Sequence, residues 1–148
     1  MLQGRDLASS KTRKPVTAQR PNFVIAVVDD DQRILGSLEI LLESADYAVL
    51  SFASAKGLLE SGCIATVDCL ISDIDMPVMD GFQLLRLVRA ERPELPIILV
   101  TGFPDIADRL PLVGARHYIL FNKPFDGQEL LTAVSNALQN SLPRTSES

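Results

Sequence analysis

Short, almost wholly apolar runs of strand length recur along this chain, each followed by a longer stretch of helical period, and no other feature narrows its folds as much. Phe23–Val28 is apolar at all six positions. A strand with one wet face alternates, whereas one covered on both faces stays apolar, so this run reads as an interior strand of a parallel sheet. Val67–Ser72 and Ile97–Val100 read as two further strands, and Ala48–Phe52 and Tyr118–Phe121 complete a set of five. Between them, Ile34, Leu38, Leu41, Leu42 and Ala45 form one helical stripe, with Asp30 or Asp31 placed to cap it. Ser54 can cap a short helix that Gly62 stops. Phe82, Leu85 and Val88 stripe a third helix ended by Pro93. Pro111 interrupts residues 105–113, so a fourth helix is expected to be short or broken. Asp126 caps a last helix through about Leu138, with Leu130, Leu131, Val134 and Leu138 facing inward. Alternating units of this kind predict an α/β fold: a parallel sheet with right-handed crossovers and helices on both faces.

Composition bounds the rest. With 148 residues, 47% apolar and 22% charged, one domain can bury its own core without disulfides, and the chain is too apolar to be disordered throughout. The six-residue run falls far short of the ~20 apolar residues needed to span a bilayer. Residues 1–22 hold five basic residues and one acidic but no apolar block like a signal-peptide core, so a cytoplasmic location is expected. We expect a disordered basic extension over 1–22, a folded domain over 23–138 and a flexible tail over 139–148. From Phe23 onward nine basic residues stand against eighteen acidic ones, which argues against nucleic-acid binding by the folded part. Cys63 and Cys69 form neither a Cys-x-x-Cys pair nor a disulfide framework and read as free thiols.

In a parallel sheet of this kind, ligands bind beyond the carboxyl ends of the strands. There the first strand ends in Asp29-Asp30-Asp31 and the third in Ser72-Asp73-Ile74-Asp75. The fourth ends in Thr101-Gly102, and the fifth is followed by Asn122-Lys123-Pro124. Crowded carboxylates raise one another's pKa unless a cation neutralises them, and hard oxygen donors with room for water suit Mg²⁺. Such an ion would draw phosphate to the same edge, where Lys123 and Thr101 could hold the remaining oxygens. Each residue alone has a plainer explanation. Asp31 can be a helix cap, Met76-Pro77 and Gly81 a turn, Lys123 an exposed lysine and Thr101 a β-branched strand residue. His117, the only histidine, reads as a partly buried strand residue rather than a phosphodonor. Only their convergence on one edge speaks for phosphoryl transfer.

From about Phe23 to Leu138 the chain resembles the receiver domain of two-component response regulators. The resemblance is carried by Val27-Val28-Asp29-Asp30, by Asp73 with Met76-Pro77 and Gly81, by Val100-Thr101-Gly102 and by Lys123-Pro124-Phe125. The segments Ser51–Ala55 and Asp68–Asp73 are most similar to the nitrogen-fixation regulator branch. The resemblance implies a flavodoxin-like, doubly wound, five-stranded sheet in the order 2-1-3-4-5. It implies that Asp73 accepts a phosphoryl group from a sensor histidine kinase or a histidine phosphotransfer protein. Mg²⁺ would be bound by Asp30, by Asp29 directly or through water, by Asp73 and by the backbone carbonyl of Asp75. Thr101 and Lys123 would hold phosphoryl oxygens, and the Lys123–Pro124 bond would be cis. The result would be a conformational signal, with no enzymatic activity beyond the domain's own phosphorylation and dephosphorylation, and a homodimer is among the assemblies implied. One departure concerns the switch. The family's aromatic residue three before the lysine is Leu120 here, and Tyr118, two residues earlier on the same strand face, is the candidate to serve as the switch aromatic with Thr101 from one pleat earlier. Two other readings are a pseudo-receiver that binds partners without phosphorylation, and a phosphatase of haloacid-dehalogenase type built on Asp73-Ile74-Asp75. The latter family carries its acidic pair downstream of the nucleophile, and here the pair lies upstream.

Overall fold

Strands β1 (Val24–Val28), β2 (Ala48–Phe52), β3 (Cys69–Asp73), β4 (Ile97–Thr101) and β5 (Tyr118–Asn122) form one sheet in the order β2-β1-β3-β4-β5. All four neighbouring pairs are parallel, which is the expected order. The computed structural model describes residues 22–103 and 118–141. Helices α1 (Gln32–Ser44), α2 (Ala55–Ser61), α3 (Gly81–Glu91) and α4 (Gly127–Ser141) follow β1, β2, β3 and β5, and a 3-10 turn forms at Cys63–Ala65. The segment expected to hold the broken fourth helix, with Pro111 and His117, lies outside the described residues. So do residues 1–21 and 142–148, which include most of both expected tails. Among the described residues no helix is long and apolar enough to cross a membrane.

Period-two alternation along the inner strands divides the core into two layers. Ile25, Val27, Cys69, Ile71, Ile98 and Val100 meet Leu35, Leu38 and Leu42 of α1 and Leu130, Val134 and Leu138 of α4. On the other face Ala26, Val28, Leu70, Ile97 and Leu99 meet Ala55 and Leu58 of α2 and Phe82, Leu85 and Val88 of α3. This two-sided burial explains the unbroken apolar run at Phe23–Val28. Leu35, absent from the expected stripe, is buried, whereas Ile34 and Leu41 are only half-buried: α1 is rotated slightly from the face its sequence suggests.

The helix ends are built locally. The Asp31 carboxylate accepts the Arg33 N–H, Ser54 accepts the Gly57 N–H, and Gly62 ends α2 at φ 76°, a left-handed value that glycine adopts freely. A reciprocal capping box joins Asp80 and Gln83, both bonds at 2.9 Å, and its Asp-x-x-Gln spacing is legible in the sequence. Asp126 accepts from the Gln128 and Glu129 N–H groups. Helix α4 then continues to Ser141, past the expected end at Leu138, because no glycine or proline intervenes before Pro143. β3 starts later than expected, at Cys69, because Asp68 turns its carboxylate back to accept the Val24 N–H at 2.8 Å.

Strand register positions the site. Val28 pairs with Ser72, Asp73 with Val100 and Thr101 with Asn122. The residues at or just beyond these ends, Asp29, Asp73, Thr101 and Lys123, therefore lie along one edge.

Candidate functional site

Asp29 and Asp73 are almost completely buried, at 1% and 4% exposure, although a buried carboxylate is costly unless it is paired. Lys123 supplies the pairing. Its Nζ lies 3.1 Å from Asp29 Oδ2 and 3.1 Å from Asp73 Oδ1, and its backbone N–H donates to the Thr101 carbonyl. The Lys123–Pro124 bond is cis. Asp29 Oδ1 also accepts the Asp31 N–H at 2.9 Å. Asp30 is exposed, and one carboxylate oxygen from each of Asp29, Asp30 and Asp73 can be chosen so that all lie within 4.8 Å of one another. Sequence and structure thus assemble the same three carboxylates and one ammonium.

Their charges do not balance. Burial, together with the neighbouring Asp29 charge, pushes the Asp73 carboxyl from 3.8 up to about 6, against the opposing pull of Lys123. Burial alone would lower the Lys123 pKa, but its hydrogen bonds to Asp29 and Asp73 and their charges raise it. One ammonium shared between two carboxylates cannot offset both. The cluster is short of positive charge, offers hard oxygen donors, and reaches solvent through Asp30, so it fits a small divalent cation.

Thr101 is fully buried, yet its hydroxyl engages neither Lys123 nor Asp73. Thr101 Oγ1 donates to Asp75 Oδ2 at 3.1 Å and accepts the Phe103 N–H at 3.0 Å. Nothing in the sequence pattern foretells this contact between the Asp75 side chain and Thr101. Phe103 is 55% exposed at the rim. Tyr118 does share a face with Leu120, since both pack on the layer under α2 and α3. It is not beside Thr101, however: Tyr118 pairs with Ile97 at the opposite end of β4, and four residues of strand span about 13 Å.

Gly81, which the sequence places only in a turn, has a tighter constraint in the structure. Its N–H donates to the Ile74 carbonyl at 2.8 Å, and a Cβ there would lie 2.6 Å from the Asp73 carbonyl oxygen and 2.7 Å from Ile74 Cα. Only glycine lets α3 start directly against the loop that leaves Asp73. Within that loop Val78, fully exposed, sits at φ 70°, a conformation unfavourable for a β-branched residue.

Comparison with known proteins places this edge in context. Residues 25–135 match the family model of the response regulator receiver domain. The chain belongs to the response regulator receiver family. It is 30% identical over 119 residues to the transcriptional regulatory protein FixJ of Bradyrhizobium diazoefficiens, covering 80% of this chain and 58% of FixJ. It is 34% identical over 130 residues to the response regulator protein TodT of Pseudomonas putida, covering 84% of this chain and 57% of TodT. The chain therefore spans little more than half the length of these relatives. Among solved structures, the signal receiver domain of an HD domain-containing protein from Pseudomonas fluorescens superposes with a TM-score of 0.73 at 31% identity, covering 82% of this chain and 98% of that one. A beryllofluoride-activated receiver domain, DrrB, gives a TM-score of 0.70 at 29% identity, covering 80% and 99%.

Proposed function

We propose that this receiver accepts a phosphoryl group on Asp73 from a phosphohistidine of a cytoplasmic sensor kinase or phosphotransfer protein, and signals through the resulting change at the sheet edge. The observation that carries this reading is the pair of buried carboxylates, Asp29 and Asp73, bridged by Lys123, with Asp30 open to solvent beside them.

Asp29, Asp30 and Asp73, with the backbone carbonyl of Asp75, would hold Mg²⁺. When bound, the ion supplies the positive charge that keeps the carboxylates ionised and screens the incoming phosphoryl oxygens. An Asp73 carboxylate oxygen forms the new bond to phosphorus as the P–N bond to the donor imidazole breaks, and the imidazole nitrogen leaves with the electron pair. Lys123, already bonded to Asp73 Oδ1, stays within reach of a phosphoryl oxygen and orients the acceptor. The chain contributes alignment and charge neutralisation, the main resources in phosphoryl transfer. The alternative haloacid-dehalogenase reading needs Asp75 as a free acid, whereas its carboxylate accepts the Thr101 hydroxyl.

Incubation with acetyl phosphate and Mg²⁺, followed by intact mass measurement, tests the proposal. Wild type should gain the mass of one phosphoryl group and Asp73→Asn should gain none. An equal gain in both proteins, or none in either, would reject Asp73 as the acceptor.

A further inference from the structure

The Thr101 hydroxyl has one proton, and the structure gives it to a carboxylate. Thr101 Oγ1 donates to Asp75 Oδ2 at 3.1 Å, and the same oxygen accepts the Phe103 N–H at 3.0 Å, so its donor and one acceptor site are in use. Because Thr101 is fully buried, no bulk water stands ready to replace Asp75. Asp75 itself is half-exposed, so its carboxylate can pass into solvent if the bond breaks. The contact ties the loop after β3 to the end of β4, the two segments that flank the acceptor.

On the footing of the phosphoacceptor reading, we propose that Asp75 is a positioning residue: its carboxylate withholds the Thr101 proton from the phosphoryl site and yields it only to a more highly charged acceptor. The unphosphorylated state has Thr101 bonded to Asp75. The phosphorylated state has Thr101 bonded to a phosphoryl oxygen and Asp75 hydrated. No covalent change at Thr101 or Asp75 is involved, only the exchange of one hydrogen-bond acceptor for another. Both acceptors are anionic, so the exchange turns only on the difference between two charge-assisted bonds, which the higher charge of the phosphoryl group tips. Such a difference is what a two-state element needs if a single modification is to switch it.

The test is a double-mutant cycle read by beryllofluoride binding in excess Mg²⁺, followed by ¹⁹F NMR or calorimetry on the full chain. Asp75→Ala removes the competing acceptor and should lower the beryllofluoride midpoint about tenfold, the size expected for one charge-assisted hydrogen bond. In the Thr101→Ala background the same substitution should change the midpoint less than about twofold, since nothing remains to be withheld. Asp75→Asn, which keeps an acceptor oxygen but loses the charge, should fall between wild type and Asp75→Ala. Equal shifts from Asp75→Ala in both backgrounds would mean simple charge repulsion and would overturn the proposal. Lower melting temperatures in both backgrounds without coupling in the midpoints would mean a structural brace and overturn it equally. If wild type binds no beryllofluoride, the phosphoacceptor reading falls and this inference with it; if wild type binds but the cycle shows no coupling, only this inference falls.

Discussion

Replacing Asp73 by asparagine should stabilise the domain in the presence of a chelator. Folding moves the Asp73 carboxyl from 3.8 up to about 6, so at neutral pH the folded state carries an anion that it resists. At 1.36 kcal/mol per pKa unit, this penalty is at most about 3 kcal/mol. The amide keeps an acceptor oxygen for Lys123 but loses the charge that strengthens the 3.1 Å contact, which offsets part of the gain and leaves about 1–2 kcal/mol, or about 4–8 °C in melting temperature for a domain of this size. The pH dependence has a definite sign. Between the ordinary carboxyl pKa of 3.8 and about 6, folded wild type binds more protons at Asp73 than the unfolded chain does, so its stability falls as pH rises. The amide of the Asp73→Asn variant does not titrate, so the gap between the two proteins should open across that window and stay constant above it. Saturating Mg²⁺ should close or reverse the gap, because a ligand at about one hundred times its Kd adds about 2.7 kcal/mol to the protein that binds it best. Thermal melts by circular dichroism, with chelator or Mg²⁺ over this pH range, measure all of these effects. A variant no more stable than wild type in chelator at neutral pH, or a gap that does not widen with pH, would refute the reasoning.

Gly81→Ala forces a Cβ to within 2.6 Å of the Asp73 carbonyl oxygen and should cost about 1–3 kcal/mol in urea denaturation, with slower acetyl-phosphate labelling because the acceptor strand must shift. Val78→Asn should stabilise the fold by about 1 kcal/mol in the same assay, since asparagine tolerates the left-handed conformation that Val78 holds at φ 70° better than a β-branched residue does. Burial pushes the Cys69 thiol up to about 12, so a thiol reagent at mildly alkaline pH should modify the half-buried Cys63 first and Cys69 only on unfolding; rapid labelling of both would contradict the packing.

The parts of this protein legible in its sequence are those set by local rules. Phe23–Val28 could be assigned to a strand because two-sided burial suppresses alternation, and Ser54, Gly62 and Asp126 could be read as caps because capping involves residues only a few positions apart. The acidic edge followed from the same logic, since each of its residues ends or follows a strand. What stayed hidden depends on long-range approach. Nothing in the local pattern says that α3 starts against the Asp73 carbonyl and needs Gly81, or that Asp75 turns its side chain to Thr101 across 26 positions. Shared strand face alone makes Tyr118 a candidate switch aromatic, but face is periodic whereas position along the strand depends on register, and the register sets Tyr118 and Thr101 at opposite ends of β4 and β5.

The central claim, that these three carboxylates surround a cation and one of them takes the phosphoryl group, is tested most directly by a crystal structure grown with Mg²⁺ and beryllofluoride. The account predicts beryllium bonded to an Asp73 carboxylate oxygen, with the cation against Asp29, Asp30 and Asp73 and Lys123 turned to a fluorine. A cation bound elsewhere, or beryllofluoride on any other carboxylate, would contradict it.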